Sequence, residues 1–285
     1  MTEHEPREPR SDFVESTSIR IVRRAAKYAE DAYRPPGRRI GTPAEQVLLD
    51  SLNINVEAVL DTYDPPSAWR RGDSLVFAHL YADVDDAPLP VDDEGRALVE
   101  LAVALLAAEV EFRGPLRLSR TQNALLAQVY ERLGPRLCSV GLPVHAMQSF
   151  GRAAYLHRLN EDVDAMDRCG LAQARARRQT KASGWRRIGP YFSDYSCGYG
   201  YLPFRLLGWI AVQLALFSIA FLLLADGPVS DTLYLSITNY LNPMGLSDTR
   251  DLRQGGQALL VIEAWTGTVS LSVFFALLVR RWFRL

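Results

Sequence analysis

The sequence predicts an all-α protein in two parts, a helical cytoplasmic domain followed by a membrane module with two spans. Two apolar runs, at 206–225 and 258–279, each reach the ~20 residues that an α-helix needs to cross ~30 Å of hydrocarbon. The chain before residue 203 is instead charged, with apolar residues at three- and four-residue steps, as in amphipathic helices. A chain of 285 residues has room for both parts.

The N-terminal stretch is rich in charge and proline and has no apolar segment of a secretory signal, so we expect a disordered tail over 1–15. Helical periodicity begins at Ser16 and predicts a helical cytoplasmic domain over 16–160. The segment EQVLLDSLNINVEAVLDTY fits one helix, although its LNINVEAVL portion also suits a strand. The following SAWRRGDSLVFAHLYADV predicts another helix.

Four further helical segments follow, of which the last begins the linker region after residue 160. The run EGRALVELAVALLAAEVEF is too short and too closely flanked by glutamate to be a span, so it predicts a buried core helix. The next segment, SRTQNALLAQVYERLG, is amphipathic and is expected to end at Gly134 and Pro135. The last two helical segments are expected to pair across a turn at Asn160.

Residues 161–202 are predicted to form a basic and aromatic linker helix that approaches the membrane. Nucleic-acid binding, contact with anionic lipid and a cytoplasmic flank of a span all fit such a basic run. Its place beside a span favours the flank, because positive residues stay on the cytoplasmic side, where they also contact anionic lipid. Arginines follow the second span as well. We therefore expect a multi-pass protein of the inner membrane with both termini cytoplasmic, no nucleic-acid partner, and basic residues at Arg168, Arg175, Arg177, Arg178, Lys181, Arg186, Arg187, Arg280, Arg281 and Arg284.

No pattern in the chain predicts catalysis, a cofactor or a metal site. The three cysteines are far apart, which is typical of free thiols in a reducing compartment. The four histidines show no metal-ligand spacing and are interpreted as surface or core residues. A Gly-rich phosphate loop, a nucleophile elbow and paired carboxylates with a base are all missing from the sequence, so we do not expect an enzyme.

The module at 203–285 carries a short, partly apolar segment between its spans. The segment YLSITNYLNPMGLSD, which ends at Asp248, resembles the pore helix and filter of two-span potassium-channel-like pore domains. In the second span, EAWTG at 263–267 is similar to the E-A-x-x-G opening of inner helices in this group. The approach GYGYLP at 198–203 is similar to the sequence before the first span in bacterial ion-channel-domain proteins.

This resemblance implies a re-entrant pore helix followed by a filter in a homotetramer, with monovalent cations, K⁺ among them, as the permeant ions. The usual filter T-V-G-Y-G-D is matched here only at Gly245 and Asp248. A proline stands where the inner-site threonine would be, and Ser247 replaces the second glycine. The filter is therefore atypical, and its expected pore residues are Asn242, Pro243, Met244, Gly245, Leu246, Ser247 and Asp248.

Two residues of the second span are candidate inner-helix residues. Glu263 is expected to brace the filter from behind, against Asn239 or Tyr240, because an unpaired carboxylate in a span costs about 3 kcal/mol. It also lies near the outer end, where it can reach the interface. Gly267 fits a gating hinge by resemblance and, equally, a small residue for close helix packing.

The function expected from the sequence is a cation channel with an atypical filter, controlled by the cytoplasmic helices. Conduction requires several copies, because one two-span subunit cannot enclose a pore. The alternative is a non-conducting membrane anchor for an interaction or sensing domain.

Overall fold

The computed structural model describes residues 12–32, 42–65, 73–82, 94–180, 194–195, 198–200, 203–224, 228–242 and 254–282. Every regular element within these ranges is helical, which confirms the all-α class for this part of the chain. The chain divides into two compact units, Met1–Arg187 and Ile188–Leu285.

In its described residues, the first unit contains six α-helices. They are α1 (Asp12–Ala32), α2 (Thr42–Leu60), α3 (Glu94–Arg113), α4 (Arg120–Ser139), α5 (Pro143–Leu159) and α6 (Val163–Thr180). Helix α3 is central: it packs against α1, α2 and α4, and all ten of its residues from Leu101 to Val110 are buried. The predicted buried core helix is therefore confirmed.

Helix α1 begins at Asp12, inside the segment predicted as a tail. Val14 is only 2% exposed, and the ring of Phe13 lies 5.6 Å from that of Tyr63. These apolar contacts explain why the helix starts before Ser16. Helix α2 runs unbroken over the segment that also suited a strand.

The helix predicted around residues 73–82 is wrong for the described part of that segment. These residues form turns and one short 3₁₀ helix, Ala78–Leu80. The buried Glu111 carboxylate of α3 accepts hydrogen bonds from the backbone N–H of Val76 and, at 2.5 Å, from the hydroxyl of Tyr81. Because the Glu111 side chain satisfies the backbone N–H of Val76, this turn does not need the backbone hydrogen bond of a helix there.

Helix α4 does not end at Gly134 and Pro135, as predicted, but continues to Ser139. A Cβ at position 134 would lie 2.4 Å from Phe150 Cζ, so the glycine lets this ring of α5 pack directly on the helix backbone. This packing compensates for the loss of the backbone hydrogen bond that Pro135 cannot donate. The start of α4 has a capping box, in which Ser119 and Gln122 exchange hydrogen bonds.

Helices α5 and α6 pair across the turn at Asn160, as predicted. Helix α6 also buries Ala165, Cys169 and Ala176. The part of the expected linker that α6 covers is therefore packed into the first unit.

The second unit contains three α-helices in its described residues: α7 (Pro203–Leu224), α8 (Val229–Leu241) and α9 (Gln254–Trp282). Each of the three packs against the other two. The expected spans coincide with α7, up to Leu224, and with α9.

Candidate functional site

Helices α7 and α9 are long and apolar enough to cross a membrane. The qualifying stretches are Phe204–Leu223 and Gly255–Val279, and only 22% of each is buried. A core helix of a soluble protein would be mostly buried. Large apolar side chains instead remain exposed along both helices, for example Leu216 and Phe275 at 61% each.

Helix α8 is too short to span. Its 13 residues extend about 20 Å at 1.5 Å per residue, against about 30 Å of hydrocarbon. Its contacts with α7 run in opposite chain directions: Ser236 Oγ lies 3.2 Å from Ser218 Oγ, and the Tyr240 hydroxyl donates to Gln213 Oε1 at 2.7 Å. Helix α8 is therefore antiparallel to α7.

The contacts of α8 with α9 run in the same chain direction. Ser236 donates to Glu263, and four residues later in each helix the backbone oxygen of Tyr240 lies against Gly267. Helices α8 and α9 are therefore parallel.

The C-terminal end of α8 lies at the middle of both apolar stretches. Its Tyr240 contacts Gln213, the tenth of the 20 residues in the first stretch, and Gly267, the thirteenth of the 25 in the second. The antiparallel pairing puts the start of α8 near the end of α7. Helix α8 thus covers one half of each long helix and stops at the midpoint.

Glu263 is completely buried, and neutral donors on α8 satisfy it. Its Oε1 accepts a hydrogen bond from Ser236 Oγ at 2.7 Å, and its Oε2 accepts one from Asn239 Nδ2 at 2.8 Å. The same amide nitrogen donates to the backbone oxygen of Leu260 at 3.0 Å. Ser218 donates to Ser236, whose own hydrogen is directed to the carboxylate. Asn239 is one of the two partners that the sequence suggested for Glu263.

A second polar contact joins all three helices. Gln213 Oε1 accepts hydrogen bonds from the Tyr240 hydroxyl at 2.7 Å and from Ser270 Oγ at 3.0 Å. The Tyr240 ring is fully buried, and its centroid lies 6.4 Å from that of Phe217. Tyr240, the other suggested partner of Glu263, therefore directs its hydroxyl to α7.

Gly267 is a close-packing position. A Cβ there would lie 2.4 Å from the backbone oxygen of Tyr240, so any other residue would push α8 away from α9. Of the two interpretations of this glycine, the contact supports the packing role directly.

Of the seven expected pore residues, 242–248, the structure describes only Asn242. Its backbone N–H donates to Thr238 O at 2.8 Å, and its φ of −138° and ψ of 77° take the chain out of the helix. The other expected filter residues lie outside the described residues: Pro243, Met244, Gly245, Leu246, Ser247 and Asp248.

Three polar residues of this site were not predicted from the sequence: Gln213, Ser218 and Ser236. A signal was available, because Gln213 and Ser218 are polar side chains within an otherwise apolar span, where such groups bond across helices. Their partners could not be assigned, since the pairing depends on the direction of α8.

Among its described residues, the first unit buries three carboxylates that were not predicted as sites from the sequence: Glu45, Glu109 and Glu111. Glu45 Oε1 accepts hydrogen bonds from Val144 N at 2.6 Å and from His145 N at 3.0 Å, so it caps the start of α5. Glu109 accepts hydrogen bonds from two arginines, Arg113 and Arg152. Burial raises the pKa of Glu111 to about 7, although hydrogen bonds from Tyr81 and from the Val76 and Phe77 backbone oppose the shift.

The expected basic flanks are described only in part. Arg168, Arg175, Arg177 and Arg178 lie on α6, and Arg280 and Arg281 lie in the last turn of α9. Lys181, Arg186, Arg187 and Arg284 are outside the described residues.

No family model matches the chain, and neither the curated proteins nor the solved structures give a significant match.

Proposed function

We propose that the second unit is the pore module of a homo-oligomeric cation channel, and that α8 is its re-entrant pore helix. The observation that carries the proposal is the contact of Tyr240 with Gln213 and Gly267, the midpoints of the two apolar stretches. A helix that starts near the end of one span and stops halfway along both is the arrangement that a pore helix requires.

The position of α8 supports a cation site at the middle of the membrane. The last carbonyl groups of a helix carry a partial negative charge of about half an electron, which favours a cation beyond its C-terminus. The chain leaves the helix at Asn242 and continues into Pro243–Asp248, whose backbone carbonyl groups are the proposed ion ligands. Gly245 supplies backbone freedom there, and Asp248 attracts cations at the mouth.

The exposed face of α8 supports assembly from several copies. Tyr234, Ile237 and Leu241 follow one another at helical spacing and are 73%, 42% and 53% exposed. Non-helical backbone at membrane depth is tolerated only inside protein or beside a water-filled cavity. Further copies of the chain would supply both the surrounding protein and the water-filled cavity. The resemblance implies four copies.

The departures in the filter limit the proposed selectivity. Pro243 removes the hydroxyl of the usual threonine, and Ser247 replaces a glycine that often needs a positive φ. We expect monovalent cations to pass with weak discrimination between K⁺ and Na⁺. The proposed topology has both termini in the cytoplasm of a bacterial cell, with the first unit controlling the pore and the basic flanks contacting anionic lipid.

The test combines a subunit count with a flux measurement. Full-length protein in detergent is expected to be a tetramer by light scattering and to pass cation current in planar bilayers. Asp248→Asn should lower the conductance at low salt, whereas Asp251→Asn, which changes an acid of the same loop outside the filter, should have little effect.

A second variant separates the channel from the anchor. Restoring the usual filter with Pro243→Thr, Met244→Val, Leu246→Tyr and Ser247→Gly should raise K⁺ selectivity in an assembled pore. A monomer or dimer that passes no current, with or without the restored filter, would favour the anchor and refute the channel.

A further inference from the structure

Three side chains with metal-binding atoms converge from three helices of the first unit. Glu131 lies on α4, His157 on the last turn of α5 and Cys169 on α6. Their ligand atoms all lie within 4.8 Å of one another. In sequence, Glu131 is 26 residues from His157 and 38 from Cys169, so the sequence shows no metal-ligand spacing for these residues.

Two hydrogens of this cluster point at one oxygen atom. His157 Nε2 lies 2.6 Å from Glu131 Oε1, and Cys169 Sγ donates to the same oxygen at 3.1 Å. If the thiol proton leaves and the imidazole carries its hydrogen on Nδ1, the nitrogen and the sulfur each direct a lone pair toward the Glu131 carboxylate. A rotation of the Glu131 side chain would then place all three donor atoms around one position.

We propose that Glu131, His157 and Cys169 bind one zinc ion, which ties α4, α5 and α6 together. Zinc is the metal that accepts thiolate, imidazole and carboxylate in one tetrahedral site. Calcium and magnesium prefer oxygen ligands only. With three protein ligands, water occupies the fourth position.

The required movement is small. Zinc bonds of about 2.0–2.3 Å at tetrahedral angles separate the donor atoms by about 3.3–3.8 Å. The contacts of 2.6 and 3.1 Å must therefore open by about 1 Å or less. His157 Nε2 and Cys169 Sγ, which lie within 4.8 Å of each other, must approach by at most about 1.3 Å. The side chain of Glu131 is 31% exposed, so it can rotate and gives the ion a path from solvent, while His157 is 9% exposed and Cys169 is buried.

The charges of the proposed site balance. The Glu131 carboxylate and the Cys169 thiolate together neutralise the two positive charges of zinc. An unligated cysteine thiol has an ordinary pKa of about 8.5, so at neutral pH it carries its proton before the ion arrives. Formation of the zinc–sulfur bond therefore breaks the S–H bond and releases about one proton per site at neutral pH.

The test is zinc titration of the full-length protein in detergent, by calorimetry in buffers of different ionisation enthalpy. We expect one zinc per chain and release of about one proton. Cobalt in place of zinc should give a thiolate-to-metal charge-transfer band. Cys169→Ser should remove the band and the proton release, and Cys169→Ser or His157→Gln should weaken binding about 100-fold.

Cys138→Ser is the matched control, because Cys138 is a half-buried free cysteine on α4 outside the cluster. It should bind zinc as the unchanged protein does. Circular dichroism of each variant distinguishes lost binding from lost folding. The proposal is overturned if the unchanged protein binds no zinc, if folded Cys169→Ser binds it equally well, or if Cys138→Ser weakens binding as much as Cys169→Ser.

Discussion

The two units of the chain each bury a carboxylate completely, but they satisfy it with different partners. In the first unit, Arg152 binds both oxygens of Glu109, at 3.1 and 3.2 Å, and Arg113 adds a contact at 2.8 Å. The Tyr130 hydroxyl donates at 3.1 Å. In the second unit, Glu263 accepts hydrogen bonds from two neutral donors, Ser236 at 2.7 Å and Asn239 at 2.8 Å.

The difference follows from the surroundings of each carboxylate. The side chains of Arg113 and Arg152 are 24% and 29% exposed, so they neutralise Glu109 while remaining partly in water. A cation beside Glu263 would itself have to leave water, at a cost of several kcal/mol. Hydroxyl and amide donors satisfy the oxygens without that second cost, and they link the short helix to the long one.

The largest expected effect is in the ionic cluster formed by Glu109, Arg113 and Arg152. Arg152→Met removes one of two cations from a buried carboxylate and should lower the free energy of unfolding by about 3–5 kcal/mol. Thermal unfolding followed by circular dichroism measures it. Arg158→Met, at an exposed arginine of the same helix, should change stability by less than about 0.5 kcal/mol. Equal effects of the two substitutions would show that Glu109 does not depend on Arg152.

The next largest effect is expected where neutral donors, Ser236 and Asn239, bind Glu263. Asn239→Asp keeps the shape of the side chain but places a second carboxylate within 2.8 Å of Glu263 and removes the donor to Leu260. We expect a loss of about 3 kcal/mol, because one acid must take up a proton or α8 must leave its place. Thermal stability and the subunit count of the purified protein measure it. Ser230→Asp, which adds a carboxylate at an exposed residue in the first turn of α8, where the helix dipole favours an acid, is the control and should leave both nearly unchanged.

Some features of the fold were predictable, and the missed ones depend on contacts between distant residues. The buried helix α3 was predicted because its composition alone requires burial. The end of α4 was missed because Gly134 and Pro135 are the usual end of a helix, and only the ring of Phe150 from α5 explains why α4 continues. Glu263 was predicted to need a partner near Asn239, since a carboxylate in a span is too costly without one.

The pH dependence of stability distinguishes Glu111 from two other buried carboxylates, Glu109 and Glu263. The pKa of Glu111 is raised from 4.5 to about 7 by burial, so between these values the folded state keeps a proton that the unfolded state has released. Stability should therefore fall by about 2–3 kcal/mol as the pH rises from about 4.5 to 7, and then level off.

Glu111→Gln is the variant that isolates this contribution, because the amide stays neutral at every pH. Denaturation midpoints measured at several pH values should be flatter for Glu111→Gln than for the unchanged protein. Arg152→Met should retain the slope, since it leaves Glu111 in place. An equally steep slope in Glu111→Gln would assign the pH dependence to another group.

The smallest effect compares one buried serine from each unit. Ser218→Ala in α7 removes a hydrogen bond to Ser236 and should cost about 1 kcal/mol. Ser149 in α5 is also buried, but its hydroxyl has no hydrogen-bond partner among the described residues. Ser149→Ala should therefore be neutral or raise stability by about 1 kcal/mol, because an unsatisfied buried hydroxyl is destabilising. Thermal unfolding of both variants measures the contrast, and a loss of stability in Ser149→Ala equal to that in Ser218→Ala would contradict it.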